Sequence, residues 1–187
     1  GVMHASSGTL IKAEEAFRKA EQLAPDAGFG RVGLAIILMN NGAADQMIRL
    51  LREQIKRDPY VSVVNLTLAE ALLQKGNSTN DLQEAERLLL RVIERHSAHA
   101  AAHSLLGKIY LRTGNTSGAE RALETTIRLD SSDRSATYQL MTLYQRTGRT
   151  REAAALKVRM QKLLDAESTG EAERYRLVRM PESRAAQ

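Results

Sequence analysis

The 187 residues include no cysteine, no tryptophan and only three prolines, and aromatic residues make up 4% of the chain. Without cysteine there is no disulfide scaffold, no thiolate metal site and no thiol nucleophile. This absence leaves the compartment open, cytoplasmic or periplasmic. With so few aromatics the core has to be aliphatic, built from Leu, Ala, Ile and Val. Pro is confined to Pro25, Pro59 and Pro181, and strand-forming residues do not cluster, which predicts an all-helical protein. No apolar run approaches the roughly 20 residues that span a bilayer. The longest, Val32 to Met39, is interrupted by Gly33. The N-terminus shows no basic region followed by an apolar one, so no signal peptide is visible. The net charge of +5 is spread along the chain, not clustered, and this argues against nucleic acid as a partner.

What is present is a recurring pair of amphipathic segments. Residues 100–133, AAAHSLLGKIYLRTGNTSGAERALETTIRLDSSD, hold two of them around Gly114. Apolar residues recur at helical spacing in each. The pattern predicts helices over 28–41, 44–57, 62–75, 80–95, 100–113, 116–129, 134–147 and 150–165. Before these, TLIKAEEAFRKAEQ at 9–22 reads as a second helix whose first partner is mostly missing, ended by Ala24-Pro25-Asp26. The chain is therefore expected to be a piece of a larger protein. Beyond Ser168 the pattern weakens, and EAERYRLV at 171–178 reads as a short capping helix ahead of a tail.

The breaker glycines Gly8, Gly42, Gly76, Gly114 and Gly148 give the period directly, in steps of 34, 34, 38 and 34 residues. A glycine just past a helix end takes the left-handed conformation without a Cβ penalty, as a tight turn between antiparallel helices requires. A small residue, Ala13, Ala119 or Ala153, follows five places later and lets the second helix approach the first. After Gly76 the equivalent residue is Ala85, because four residues are inserted around NSTND. Four residues are close to one helical turn, so the insertion preserves the apolar face.

These landmarks resemble the tetratricopeptide repeat, whose period is about 34 residues. Residues 100–133 carry the resemblance best, with His103, Leu106, Gly107, Tyr110, Gly114, Ala119, Leu123 and Thr126 in the family's register, and Ser131 where it prefers Pro. Residues 28–61 contribute Leu34, Ala35, Leu38, Gly42, Met47, Leu51 and Pro59. Residues 134–167 contribute Leu140, Met141, Tyr144, Gly148, Ala153 and Met160, and the partial first repeat Ala13, Phe17, Ala20 and Pro25. Met47 and Lys157 depart from the family's Ala and aromatic preferences. The resemblance implies an all-α, right-handed solenoid of stacked antiparallel helix pairs. Its units are a partial repeat at 1–27, repeats at 28–61, 62–99 (with the insertion), 100–133 and 134–167, and a cap or tail at 168–187.

Other motifs fare poorly. His96, His99 and His103 look like a metal cluster, but no carboxylate or thiolate completes a tetrahedral set, and the register gives them packing and surface roles. Gly28-Phe29-Gly30-Arg31-Val32-Gly33 spells a dinucleotide fingerprint without the preceding strand that this motif needs. Asn65, Asn77 and Asn115 head glycosylation sequons. The first falls within a helix and the others in turns that favour Asn on their own account. The basic stretch Arg174 to Arg179 reads as a solvated cap or tail. No catalytic set, metal site or cofactor motif emerges, and the chain is not expected to be an enzyme.

The resemblance places function on the inner, concave face of the first helices. Carried over, that face comprises Phe29, Val32, Ile36, Met39 and Asn40; then Val63, Leu66, Glu70, Leu73 and Gln74; then Ala101, Ser104, Lys108, Leu111 and Arg112; then Ser135, Tyr138, Thr142, Gln145 and Arg146. Its N-terminal half is apolar and its C-terminal half polar and basic. Val32 and Ile36 stand where some family members place a Lys-and-Asn clamp for a C-terminal carboxylate, so that mode of binding is not expected. The implied function is a scaffold or protein-interaction module that holds a peptide or helix. Apolar side chains would lie on the stripe from Phe29 to Leu73, and acidic groups near Lys108, Arg112 and Arg146. Three alternatives stay open: a stripe covered by the protein itself or by a second copy, a regulatory array of an enzyme whose catalytic part lies elsewhere, and a basic RNA- or polyanion-binding solenoid.

Overall fold

The computed structural model describes the backbone of residues 15–20, 22–23, 29–40, 42–76 and 78–178, and their side chains except those of 29, 39, 40 and 170–178. Every described element is a helix. After helical residues 15–20 come α1 (Phe29–Asn40), α2 (Ala44–Arg57), α3 (Ser62–Lys75) and α4 (Thr79–Arg95). They are followed by α5 (Ala100–Thr113), α6 (Thr116–Leu129), α7 (Arg134–Arg146) and α8 (Thr150–Val178). Each helix packs on the next, and first helices also touch across pairs, α1 on α3 and α3 on α5. First helices thus form one layer and second helices the other, an α-solenoid of stacked pairs.

The repeat residues explain the packing. Ala35, Leu68, Leu72, Leu106 and Leu140 of the first helices are buried, as are Met47, Leu51, Ala85, Leu89, Ala119, Leu123 and Ala153 of the second. Gly107 lets α5 and α6 close: a Cβ there would sit 2.6 Å from Leu123 Cδ2. The buried apolar residues form two clusters. One runs from α1 through α5 to Ala122 of α6, and the other joins Ala119 and Leu123 of α6 to α7 and α8.

Two expectations need correcting. Gly42, Gly114 and Gly148 do adopt positive φ, 73°, 76° and 76°, but Gly76 is extended, with φ 162°. The insertion relieves that turn, and helix α4 absorbs most of it, at 17 residues against 14 in α6. Nor does the last helix stop near residue 165, with a separate segment after it; α8 is continuous to Val178. Arg134, the first residue of α7, pairs with Glu167, so α8 beyond Glu167 extends past its partner. No proline or glycine intervenes until Gly170, and one glycine costs a helix only about 1 kcal/mol.

Candidate functional site

The turns between pairs show how the solenoid is held. Each of the three described turns contains a carbonyl capped by a side chain from the following repeat. The Pro59 carbonyl accepts from Arg91 Nη1 at 3.1 Å and from Asn65 Nδ2 at 3.0 Å. The Ser97 carbonyl lies 2.9 Å from His103 Nε2, and the Ser131 carbonyl accepts from Arg159 Nη2 at 2.8 Å. Asn65 is 1% exposed, so its sequon is a buried bracket. Asn115 caps α6, accepting from the Gly118 amide at 2.9 Å, while Asn77 lies outside the described residues. His99 caps α5, its Nδ1 accepting from the Ala102 amide at 3.4 Å. The histidines serve turns and caps, and among the described residues no group of His, Cys, Asp and Glu could hold a metal ion.

A second recurring device lies between pairs. The Tyr144 hydroxyl donates to Glu124 Oε1 at 2.7 Å and lies 3.3 Å from Glu120 Oε1. The Arg149 guanidinium covers the Tyr144 ring at 4.0 Å and bonds both Glu120 and Glu152. Burial, then the bond to Glu124, pushes the Tyr144 hydroxyl well above the usual tyrosine range. Burial and a bond to Glu86 push Tyr110, at the same place in its repeat, in the same direction.

The expected inner-face residues meet different fates. Ile36 is 45% exposed and Tyr138 is 58% exposed, both large for surface apolar groups. Glu70, Gln145 and Arg146 are exposed and Lys108 is half-buried. Val32 and Leu66 are half-buried against the core. Leu73 is only 5% exposed and belongs to the core, so the apolar stripe is shorter than the pattern implied. Arg112 is also committed in part: its Nη1 donates to the Leu73 carbonyl at 2.6 Å and holds α5 to the end of α3. Ser104 is buried, with its hydroxyl 3.2 Å from Asp133 Oδ2. The side chains of Phe29 and Met39, like those of the basic stretch Arg174 to Arg179, lie outside the described residues.

A cation also stands in the last turn of every helix from α2 to α7, where it opposes the negative end of the helix dipole. Arg112 and Arg146 are two of these, which explains why positive charge is dispersed along the chain. Sequence reasoning missed the Arg91, Asn65 and Arg159 brackets. Their only signal is an Arg at the same place in two second helices.

Residues 78–144 match the tetratricopeptide repeat family. No curated protein matches the chain. Among solved structures, a MamA crystal structure is similar over 88% of this chain and 94% of its own, with a TM-score of 0.72 and 21% identity. MamA from Desulfovibrio magneticus RS-1 is similar over 88% and 89%, with a TM-score of 0.66 and 16% identity. PilF of Pseudomonas aeruginosa is similar over 87% and 72%, with a TM-score of 0.72 and 16% identity. At these identities the likeness is one of fold. No helix among the described residues is long and apolar enough to cross a membrane.

Proposed function

We propose that this chain, which carries tetratricopeptide repeats over residues 78–144, is a protein-interaction module that holds a partner segment along its first helices. The observation that carries the reading is the exposure of Ile36 and Tyr138 on helices whose other described large apolar residues are buried or half-buried. An exposed Ile on α1 and an exposed Tyr on α7 are anchors of the kind that interfaces use, and Tyr is enriched at such sites. Glu70, Lys108, Gln145 and Arg146 are the polar groups between and beside them. Lys108 and Arg146 favour acidic groups on the partner towards α5 and α7. Val32 and Leu66 contribute their exposed edges, and Arg112 contributes whatever its bond to the Leu73 carbonyl leaves free. The basic charge has a structural duty at helix ends, which favours a protein partner over a polyanion.

Photo-crosslinking residues placed at Ile36 and Tyr138 test this. Both are expected to trap the same partner protein in the source cells, and Lys108→Glu with Arg146→Glu is expected to abolish both adducts while the chain stays folded, with only the small drop in melting temperature that loss of a cation at the end of α7 brings. Adducts only with a second copy of the chain would replace the reading with self-association. Adducts with RNA that vanish at high salt would replace it with polyanion binding.

A further inference from the structure

Helices α6 and α8 run in the same direction on the outer layer, with α7 between and beneath them. They leave a groove of about 400 Å³ whose floor is Leu140 and Tyr144 and whose walls include Ile127 and Leu156. The groove shares none of the residues assigned to the inner surface. Its two ends differ in charge. At one end stand Glu124 and Glu152, and both are already engaged: Glu124 accepts from the Tyr144 hydroxyl at 2.7 Å and Glu152 from Arg149 Nε at 2.8 Å. At the other end stand Arg128 and Arg159. Arg128 reaches only the Thr125 hydroxyl, at 3.3 Å, and Arg159 only the Ser131 carbonyl, at 2.8 Å. Neither pairs with a carboxylate among the described residues. Arg159 Nε is buried with no acceptor, and a buried unpaired donor of this kind is costly.

The groove therefore has an apolar floor, an acidic end whose two carboxylates are already hydrogen-bonded within the chain, and a basic end that no carboxylate among the described residues pairs. We infer that the α6–α8 groove is a second docking surface, taking a partner segment that presents an apolar anchor side chain followed by a carboxylate. The anchor rests on Leu140, Tyr144 and Leu156. The carboxylate lies between Arg128 and Arg159, where a small rotation of the Arg159 guanidinium gives its Nε an acceptor. An acidic segment fits better than a second copy, because this chain carries a net charge of +5 and would bring like charge to the basic end.

A random peptide library displayed on phage, selected against the full chain, supplies the probe. Recovered peptides are expected to share an apolar residue followed closely by Asp or Glu. As fluorescein-labelled synthetic peptides they are expected to bind at least tenfold more weakly to Arg128→Glu, an exposed position, and to Leu156→Arg. The double variant Lys108→Glu with Arg146→Glu, on the inner surface, is expected to bind them as the unaltered chain does. Circular dichroism checks that the variants fold, and Arg128→Glu decides alone should Leu156→Arg fail. Recovery of no peptides, of basic ones, or of peptides indifferent to Arg128→Glu overturns the proposal. So does loss of binding only in the inner-surface double variant, which would place the peptides in the other groove. A dimer in sedimentation that Arg128→Glu dissociates would make a second copy the occupant and equally overturn it.

Discussion

A methyl group has no place at Gly107, because it would meet Leu123 Cδ2 at 2.6 Å and Leu123 Cγ at 2.8 Å. Leu123 is fully buried, so any shift of its side chain has to displace core neighbours. Gly107→Ala is therefore expected to destabilise the fold by about 1–3 kcal/mol through overpacking. Gly114 is constrained for a different reason. The space beside it is open, but its φ of 76° is left-handed, and Ala there costs about 1–2 kcal/mol. Gly76 looks equivalent in the sequence, yet its extended backbone accepts Ala without that penalty, and the change is expected to be neutral or slightly stabilising. Urea midpoints for the three variants check all of this. A Gly76→Ala loss as large as that of Gly114→Ala would contradict an extended backbone at Gly76.

At the scale of elements, α6, α7 and α8 are joined by one polar network centred on the Tyr144 hydroxyl. Tyr144→Phe is expected to cost about 1 kcal/mol at neutral pH, since Glu124 loses its donor. The network also makes stability depend on alkaline pH. The folded-state pKa of Tyr144 is raised above its unfolded value. Its contribution is therefore fully present below about pH 10, the unfolded value, and is lost as the pH climbs towards the folded one. Tyr110 adds to the effect in the same sense. Chemical denaturation at pH 8 and pH 11 should show a smaller alkaline loss for Tyr144→Phe than for the unaltered chain; an equal loss would remove Tyr144 as the source. The helix pattern and the Gly-to-Gly period were legible in the sequence because both follow from backbone geometry and local apolar spacing. Leu73, Ser104 and Arg112 were not, because a repeat register says which way a side chain points without saying what the neighbouring pair brings against it. Gly76 was misjudged for a related reason, as the register could not say how the extra residues would be shared between loop and helix.

For the whole molecule, the division of the buried apolar residues into two clusters predicts uneven cooperativity. In a linear array, stability is a sum of repeat and neighbour terms, so a lesion is felt near where it is made. Leu140→Ala empties a site that is 3% exposed in the cluster of α7 and α8 and is expected to cost about 2–5 kcal/mol there. Hydrogen exchange should show amides of α7 and of the start of α8 losing protection while those of α3 and α4 change little; uniform loss would mean that the chain unfolds as one unit. The outer side of α8 is mixed, with Val158 and Leu164 exposed among polar residues. Lys157 and Gln161 are exposed on α8, and Lys157 stands where α6 buries Leu123. The long helix α4 has a wider consequence. The four inserted residues, three of them in α4, come to about one turn, so Ala85 and Leu89 beyond them keep the compass bearing of Ala119 and Leu123 although their serial count has moved. What the architecture fixes is angular phase, and a ruler marked in residues loses step at Gly76 where one marked in turns does not.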